Sequence, residues 1–326
     1  MVDPALLIRK IRTTLGACTL GEWPTPLESA PLLASANGVS RLWVKREDCS
    51  SPVYGGNKVR GLEFLLAHST PATVFLTIGG TGSSHCLSTA VHARRLSRHT
   101  VMAQFPQPET EAASLVAREV RRVADRVIVS PDRWRFPIAL ARAWSAARRL
   151  GATRWIAGGG AAPLGVAGHI IAGLELSGAI DEPPDAVVTP YGSGGTVAGL
   201  LLAVAALGWS THVVGVRVTP LLVANRLRVG RLVRGTRRLL EHHGIACPPV
   251  DWTRLITVDG QGAGYGHPSA AGEAARKLAA EYGLKLESTY GAKAFAAIAG
   301  LGSRGFGRVV FWHTFAFPPA RMELNG

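Results

Sequence analysis

Cysteine is sparse. The four present, at positions 18, 49, 86 and 247, form no Cys-x-x-Cys pair and have no histidine at zinc-binding spacing. A disulfide-built scaffold and a zinc module are thereby excluded, and free thiols in a reducing compartment are expected. Aromatic residues are only 7% of the chain and do not interleave the basic ones, so no stacking platform for nucleic acid is expected. Acidic residues are also scarce, 22 against 36 Lys plus Arg, for a formal charge of +14. The arginines are spread along helix-like stretches, such as Arg118, Arg121, Arg122 and Arg126, without a run of five or six. They read as a solvated surface, with an acidic protein partner left open. Low-complexity linkers and internal repeats are missing. The start, MVDPALLIRKIRTTLG, is amphipathic and lacks the long apolar core of a signal peptide. One uncharged stretch, residues 186–216 with His212 neutral, exceeds the ~20 residues of a membrane span. Pro190 and the glycines that follow break it into strand, turn and helix, so it is expected to be the core of a cytoplasmic protein.

Glycine, by contrast, is abundant: 38 of 326 residues, about 12% where ~7% is usual. Strand-like segments at residues 41–46, 73–78, 100–105, 126–129, 154–157, 186–189, 212–218, 255–258 and 308–312 alternate with helix-like ones. This predicts an α/β protein with parallel sheets flanked by helices. The length suits two lobes sharing a cleft, divided at glycine-rich turns near residues 55 and 165.

Three of these turns carry possible chemistry. Tyr191-Gly192-Ser193-Gly194-Gly195-Thr196 lies between a strand and a helix. Glycines admit an anion close to the backbone, and amides at a helix start bind it. A dinucleotide fingerprint would need Gly at Val197, and a Walker A loop would end in Gly-Lys-Ser/Thr, so the loop suits a single phosphate. Gly55-Gly56-Asn57-Lys58 sets a lysine at a helix opening, where burial would lower its pKa and make it a nucleophile. A reactive lysine with a one-phosphate cup is what pyridoxal 5'-phosphate (PLP) requires. Gly79-Gly80-Thr81-Gly82-Ser83-Ser84-His85 could hold a carboxylate on its amides and hydroxyls, and it is not a Gly-x-Ser-x-Gly elbow. Tyr265, Tyr290 and His313 are weak signals alone, and His242-His243 reads as solvated. No metal site is expected.

Taken in order, Pro24-Thr25-Pro26-Leu27, Lys45-Arg46-Glu47-Asp48, Gly55-Gly56-Asn57-Lys58-Val59-Arg60, the serine loop, the glycine cup, Tyr265, Tyr290 and Thr314 resemble a known pattern. It is that of the 1-aminocyclopropane-1-carboxylate deaminase / D-cysteine desulfhydrase family, within the tryptophan synthase β-like, fold type II PLP enzymes. The resemblance spans about Gly21 to Ala316. It implies a large PLP domain (residues 1–55 and 165–326) with a small domain inserted (56–164), and a homodimer. Lys58 would hold the cofactor covalently and move the α-proton. Asn57 and Ser84 would touch the cofactor, and Gly192, Ser193, Gly194, Gly195 and Thr196 would hold its phosphate. Tyr290 would stack on the pyridine ring and Thr314 would hydrogen-bond its nitrogen. Ser83, Ser84 and His85 would receive the substrate carboxylate, and Tyr265 would face the substrate.

The chain departs from the family at Ser84 (commonly Asn), at Gly61 (a basic residue) and at Phe315-Ala316 (Gly-Gly). Gly291 and Thr314 replace the Glu and Leu typical of the ring-opening deaminases. The resemblance therefore implies a PLP-dependent lyase or deaminase of small amino acids that acts by β-elimination. β-Replacement, racemisation, or a non-catalytic protein binding an acidic partner are the alternatives.

Overall fold

The computed structural model describes residues 3–319, so Met1 and Val2 of the amphipathic start lie outside the described residues. The strands are β1 (Leu27–Ser29), β2 (Arg41–Arg46), β3 (Thr73–Gly80), β4 (His99–Phe105), β5 (Arg126–Val129), β6 (Ala152–Ile156), β7 (Ala186–Tyr191), β8 (His212–Arg217), β9 (Leu255–Asp259) and β10 (Arg308–His313). They form two sheets, ordered β1-β2-β10-β7-β8-β9 and β5-β4-β3-β6. Every pairing is parallel except β1 with β2. The parallel sheets flanked by helices are as expected; the antiparallel edge strand β1 is not read from the sequence, since three residues are too few to show periodicity.

The helices are α1 (Pro4–Thr14), α2 (Pro31–Ala36), α3 (Lys58–Leu65), α4 (Ser84–Arg95), α5 (Glu111–Val123), α6 (Phe136–Leu150), α7 (Pro163–Leu174), α8 (Gly195–Leu207), α9 (Arg226–His242), α10 (Ala270–Glu281) and α11 (Gly291–Ala296). Alternation along the strands assigns them to faces. Val187, Val213, Val310 and Trp312 pack against α1, α7, α8 and α9 on one side of the larger sheet. Val188, Val214, Val216, Val309 and Phe311 meet α2, α10 and α11 on the other. In the smaller sheet Val74, Leu76, Val101 and Ala103 face α6, while Phe75 and Met102 face α3, α4 and α5. Residues 186–216 are the β7–α8–β8 unit of the core, and no helix among the described residues is long and apolar enough to cross a membrane.

Parallel strands send their C-terminal ends to one edge, and side chains placed just beyond them meet. Lys58, Ser83, Gly192 and Thr314 follow the ends of β2, β3, β7 and β10 respectively.

Candidate active site

These ends surround a cavity of about 370 Å³. Every residue to which the resemblance gives a role lines it: Asn57, Lys58, Ser83, Ser84, His85, Gly192, Ser193, Gly194, Gly195, Thr196, Tyr265, Tyr290 and Thr314. No aspartate or glutamate lines it, whereas Lys58, Arg133 and Arg228 do. An anionic occupant fits that lining. His313 is not in the wall; it is buried, with Nδ1 3.2 Å from Asp48 Oδ1.

Lys58 opens α3, and its position is set by buried charge two residues on. Arg60 lies flat over Trp23, 3.7 Å from the ring centroid. It donates to Glu47 (2.8 and 3.0 Å) and to Glu175 (2.5 and 2.7 Å). Lys45 Nζ donates to Glu175 (2.9 Å) and to the Thr25 carbonyl (2.7 Å). Two cations and two carboxylates thus close directly on one another, and motif residues Thr25, Lys45, Glu47 and Arg60 belong to the network. The loop ahead of Lys58 is fixed by main-chain bonds from Gly56 to the Glu47 carbonyl (2.9 Å) and from Asn57 to the Thr314 carbonyl (3.0 Å). Gly56 has φ +103°, a conformation that favours glycine. Desolvation lowers the Lys58 amine to about 8. Among the described residues it makes no ion pair.

The glycine cup begins α8. Gly194 has φ +91° and caps the helix without a side-chain partner. Among the described residues the amides of Gly195, Thr196 and Val197 have no acceptor, while that of Ala198 bonds to the Gly194 carbonyl (2.9 Å). Asn57 Nδ2 donates to Thr196 Oγ1 at 2.9 Å, tying the lysine loop to the cup. Open amides at a helix start, a desolvated amine and a cation-lined wall suit PLP, with residues 192–196 for the phosphate and Lys58 for the carbonyl carbon.

Ser83 caps α4 by accepting from the Cys86 amide (3.3 Å), so its own proton is free to point into the cavity. Among the described residues the amides of Ser84 and His85 also lack acceptors. Thr77 gives its proton to the Ile156 carbonyl (2.9 Å) and must therefore accept from His85 Nε2 (2.9 Å). His85 Nδ1 is then a bare acceptor without a partner. Desolvation and the nearby Lys58 lower this ring to about 3, so it is neutral. The loop's donors are accordingly hydroxyls and first-turn amides.

Tyr265 and Tyr290 place their hydroxyls 2.7 Å apart. Burial pushes Tyr265 up to about 12 and Tyr290 well above its usual range, so both are phenols at neutral pH. One donates to the other, which leaves one proton for a third group. Glu287, which the sequence reading passed over, accepts from the amides of Thr289 (2.6 Å), Tyr290 (2.8 Å) and Gly291 (2.5 Å) and fixes the start of α11. Its acidic position just before a helix start was a capping signal. Phe105, Arg133, Thr219 and Arg228 also line the cavity; they sit in no local motif. Of the departures, Phe315 lines the cavity but is 5% exposed and packs with Tyr54, Cys86 and Leu87. A side chain at position 61 would meet the Gly165 carbonyl of α7 at 2.9 Å, so close helix packing explains the glycine.

Comparison with known proteins agrees with this reading. A family model described as pyridoxal-phosphate dependent enzyme matches residues 18–314. Nocardicin C-9' epimerase of Nocardia uniformis subsp. tsuyamanensis is 35% identical over 310 residues, covering 89% of this chain and 91% of that protein. D-cysteine desulfhydrase of Salmonella paratyphi A is 30% identical over 317 residues, covering 90% and 92%. A crystal structure of an ACC deaminase homologue superposes with a TM-score of 0.80 at 26% identity, over 95% of each chain. With the match running through nearly its whole length, and its lysine, glycine cup and serine loop gathered on one cavity, the chain belongs to the pyridoxal-phosphate dependent enzymes of fold type II.

Proposed function

We propose that the protein is a lyase that eliminates a β-substituent from a small amino acid such as D-cysteine or a β-substituted alanine, releasing ammonia and an α-keto acid. The observation that carries this is the carboxylate-free cavity holding Lys58, the open amides of residues 192–196 and the Ser83 loop together. PLP, when bound, supplies an electron sink for carbanion chemistry at the α-carbon. The Ser84 and His85 amides, with the Ser83 hydroxyl, orient the substrate carboxylate. Lys58 takes the α-proton; an amine near 8 is ~10% neutral at pH 7, against roughly 0.03% for an unperturbed lysine. The Tyr265–Tyr290 pair keeps one phenol proton available to the departing group. Thr314 would hold the pyridine nitrogen with a neutral hydroxyl, since no carboxylate lines the cavity to pair with it.

The reading includes a cytoplasmic homodimer, supported by four free thiols and an exposed leucine cluster at 221, 222 and 227. It also includes a small domain at 56–164 inserted into a large one, supported by the four-stranded sheet lying wholly between Thr73 and Ile156.

One observation favours a second reading, epimerisation at the α-carbon: the 35% identity with an epimerase. Incubation in deuterium oxide with D-cysteine, β-chloro-D-alanine and 1-aminocyclopropane-1-carboxylate separates the two. Elimination gives pyruvate, with sulfide or chloride, from the first two. Deuterium at the α-carbon without keto acid would select epimerisation, and brisk turnover of the cyclopropane alone would overturn the proposal.

A further inference from the structure

We propose that Arg228 supplies the positive charge for the cofactor's phosphate, in place of the basic side chain that position 61 cannot carry. The proposal rests on reading residues 192–196 as the phosphate site. Position 61 is closed by packing. A Cβ there would lie 2.9 Å from the Gly165 carbonyl and 3.4 Å from its Cα, and Gly168 of the same helix would bring a Cβ within 2.0 Å of the Arg60 carbonyl. Backbone meets backbone along this contact, so no flexible group can give way. A phosphate near the cup must find its cation elsewhere.

Arg228 stands there from a different element. Its Nε donates to the Ser193 carbonyl at 2.9 Å, inside the cup sequence, and its side chain lines the cavity. Among the described residues neither terminal nitrogen donates to anything and no carboxylate pairs with the guanidinium. The first turn of α9 holds Arg226 and Arg228 and no acidic residue, with Asn225 as its cap. Cations at the positive end of a helix are unfavourable unless an anion comes to them. The starts of α8 and α9 and a free guanidinium thus converge at Ser193. Arg133, the other lining guanidinium, leans instead toward Phe105, 5.7 Å from the ring centroid. An arginine fork suits phosphate, and a bond from a charged donor is among the stronger ones.

The test measures binding to cofactor-stripped protein by absorbance, with PLP and with pyridoxal, which lacks the phosphate. Arg228→Gln should weaken PLP about tenfold to a hundredfold and leave pyridoxal unchanged. Inorganic phosphate should compete with PLP less well in that variant than in the wild type. Arg228→Lys, which keeps the charge without the fork, should lose less; it also serves if the glutamine variant does not fold. Equal weakening of PLP and pyridoxal would mean that Arg228 only braces the loop, and would overturn the proposal. Gly192→Asp, whose Cβ would stand 3.5 Å from Tyr290 and 3.8 Å from Thr219 in the cavity wall, puts a carboxylate in the cup and separates the two readings. Weak PLP binding there with unchanged binding in Arg228→Gln sinks the arginine alone. Unchanged binding in both sinks the phosphate site itself.

Discussion

Burial sets the chemistry of Lys58. A folded-state value near 8 against ~10.4 in an unfolded chain means that the unfolded state binds more protons between those values. Stability of the cofactor-free protein should therefore rise with pH across that window. Below about 8, where the buried amine is charged, the strain is fully present. Lys58→Met removes it, and should raise stability at pH 7 by ~1–3 kcal/mol while abolishing covalent capture of PLP. Denaturant melts of the two stripped proteins at pH 7 and pH 10 check both signs, since the gap between them should shrink at the higher pH. In the wild type, capture should quicken as pH passes through about 8 and then level. Lys58 was legible in sequence because Gly-Gly-Asn-Lys encodes its own loop geometry. Arg228 was not: its partner Ser193 lies 35 residues away, and nothing local marks a surface-type arginine as part of a cup.

Helix α3 carries that lysine, and the turn after β2 (Glu47) together with a distant turn (Glu175) holds the helix through Arg60. Glu175, 115 residues from Arg60 in the chain, supplies half the negative charge of the buried quartet. Neutralising one member of such a group leaves an uncompensated charge away from water, which costs roughly 3–5 kcal/mol. Glu175→Gln should lower stability on that scale by chemical denaturation. It should also weaken PLP binding, because Lys58 would lose the anchor two residues along. A merely local role for Glu175 predicts lost stability with cofactor affinity intact. Sequence showed the Arg60 end of this network as motif residues without saying what they touch. The elements were legible where burial on one face imposed a period, as in α5, buried at Ala112, Ala113, Val116, Val120 and Val123, or where a short apolar run ended at glycines, as in β7, buried throughout. They were not at β1, whose three residues show none, nor at the Tyr265–Tyr290 contact, which depends on how two loops return to the same edge.

The whole molecule is ordered by crossovers that no local pattern reveals: β10, last in sequence, lies between β2 and β7 and brings Thr314 to the lysine loop. It is also strongly basic and keeps Leu221, Leu222 and Leu227 exposed at 61%, 93% and 74% around the start of α9. Contiguous exposed leucines mark contact surfaces. Two copies of a +14 protein repel each other, and added salt screens that repulsion over a Debye length of ~10 Å at 0.1 M. A dimer held by these leucines should tighten as salt rises, whereas one held by ion pairs across the interface should loosen. Sedimentation velocity at 0.05 and 0.5 M salt distinguishes them. We expect a dimer that strengthens with salt, and a monomer for Leu222→Asp, which sets a charge where the apolar contact forms. A wild-type monomer at both salts, or a dimer that salt dissociates, would show that the leucines are not its interface.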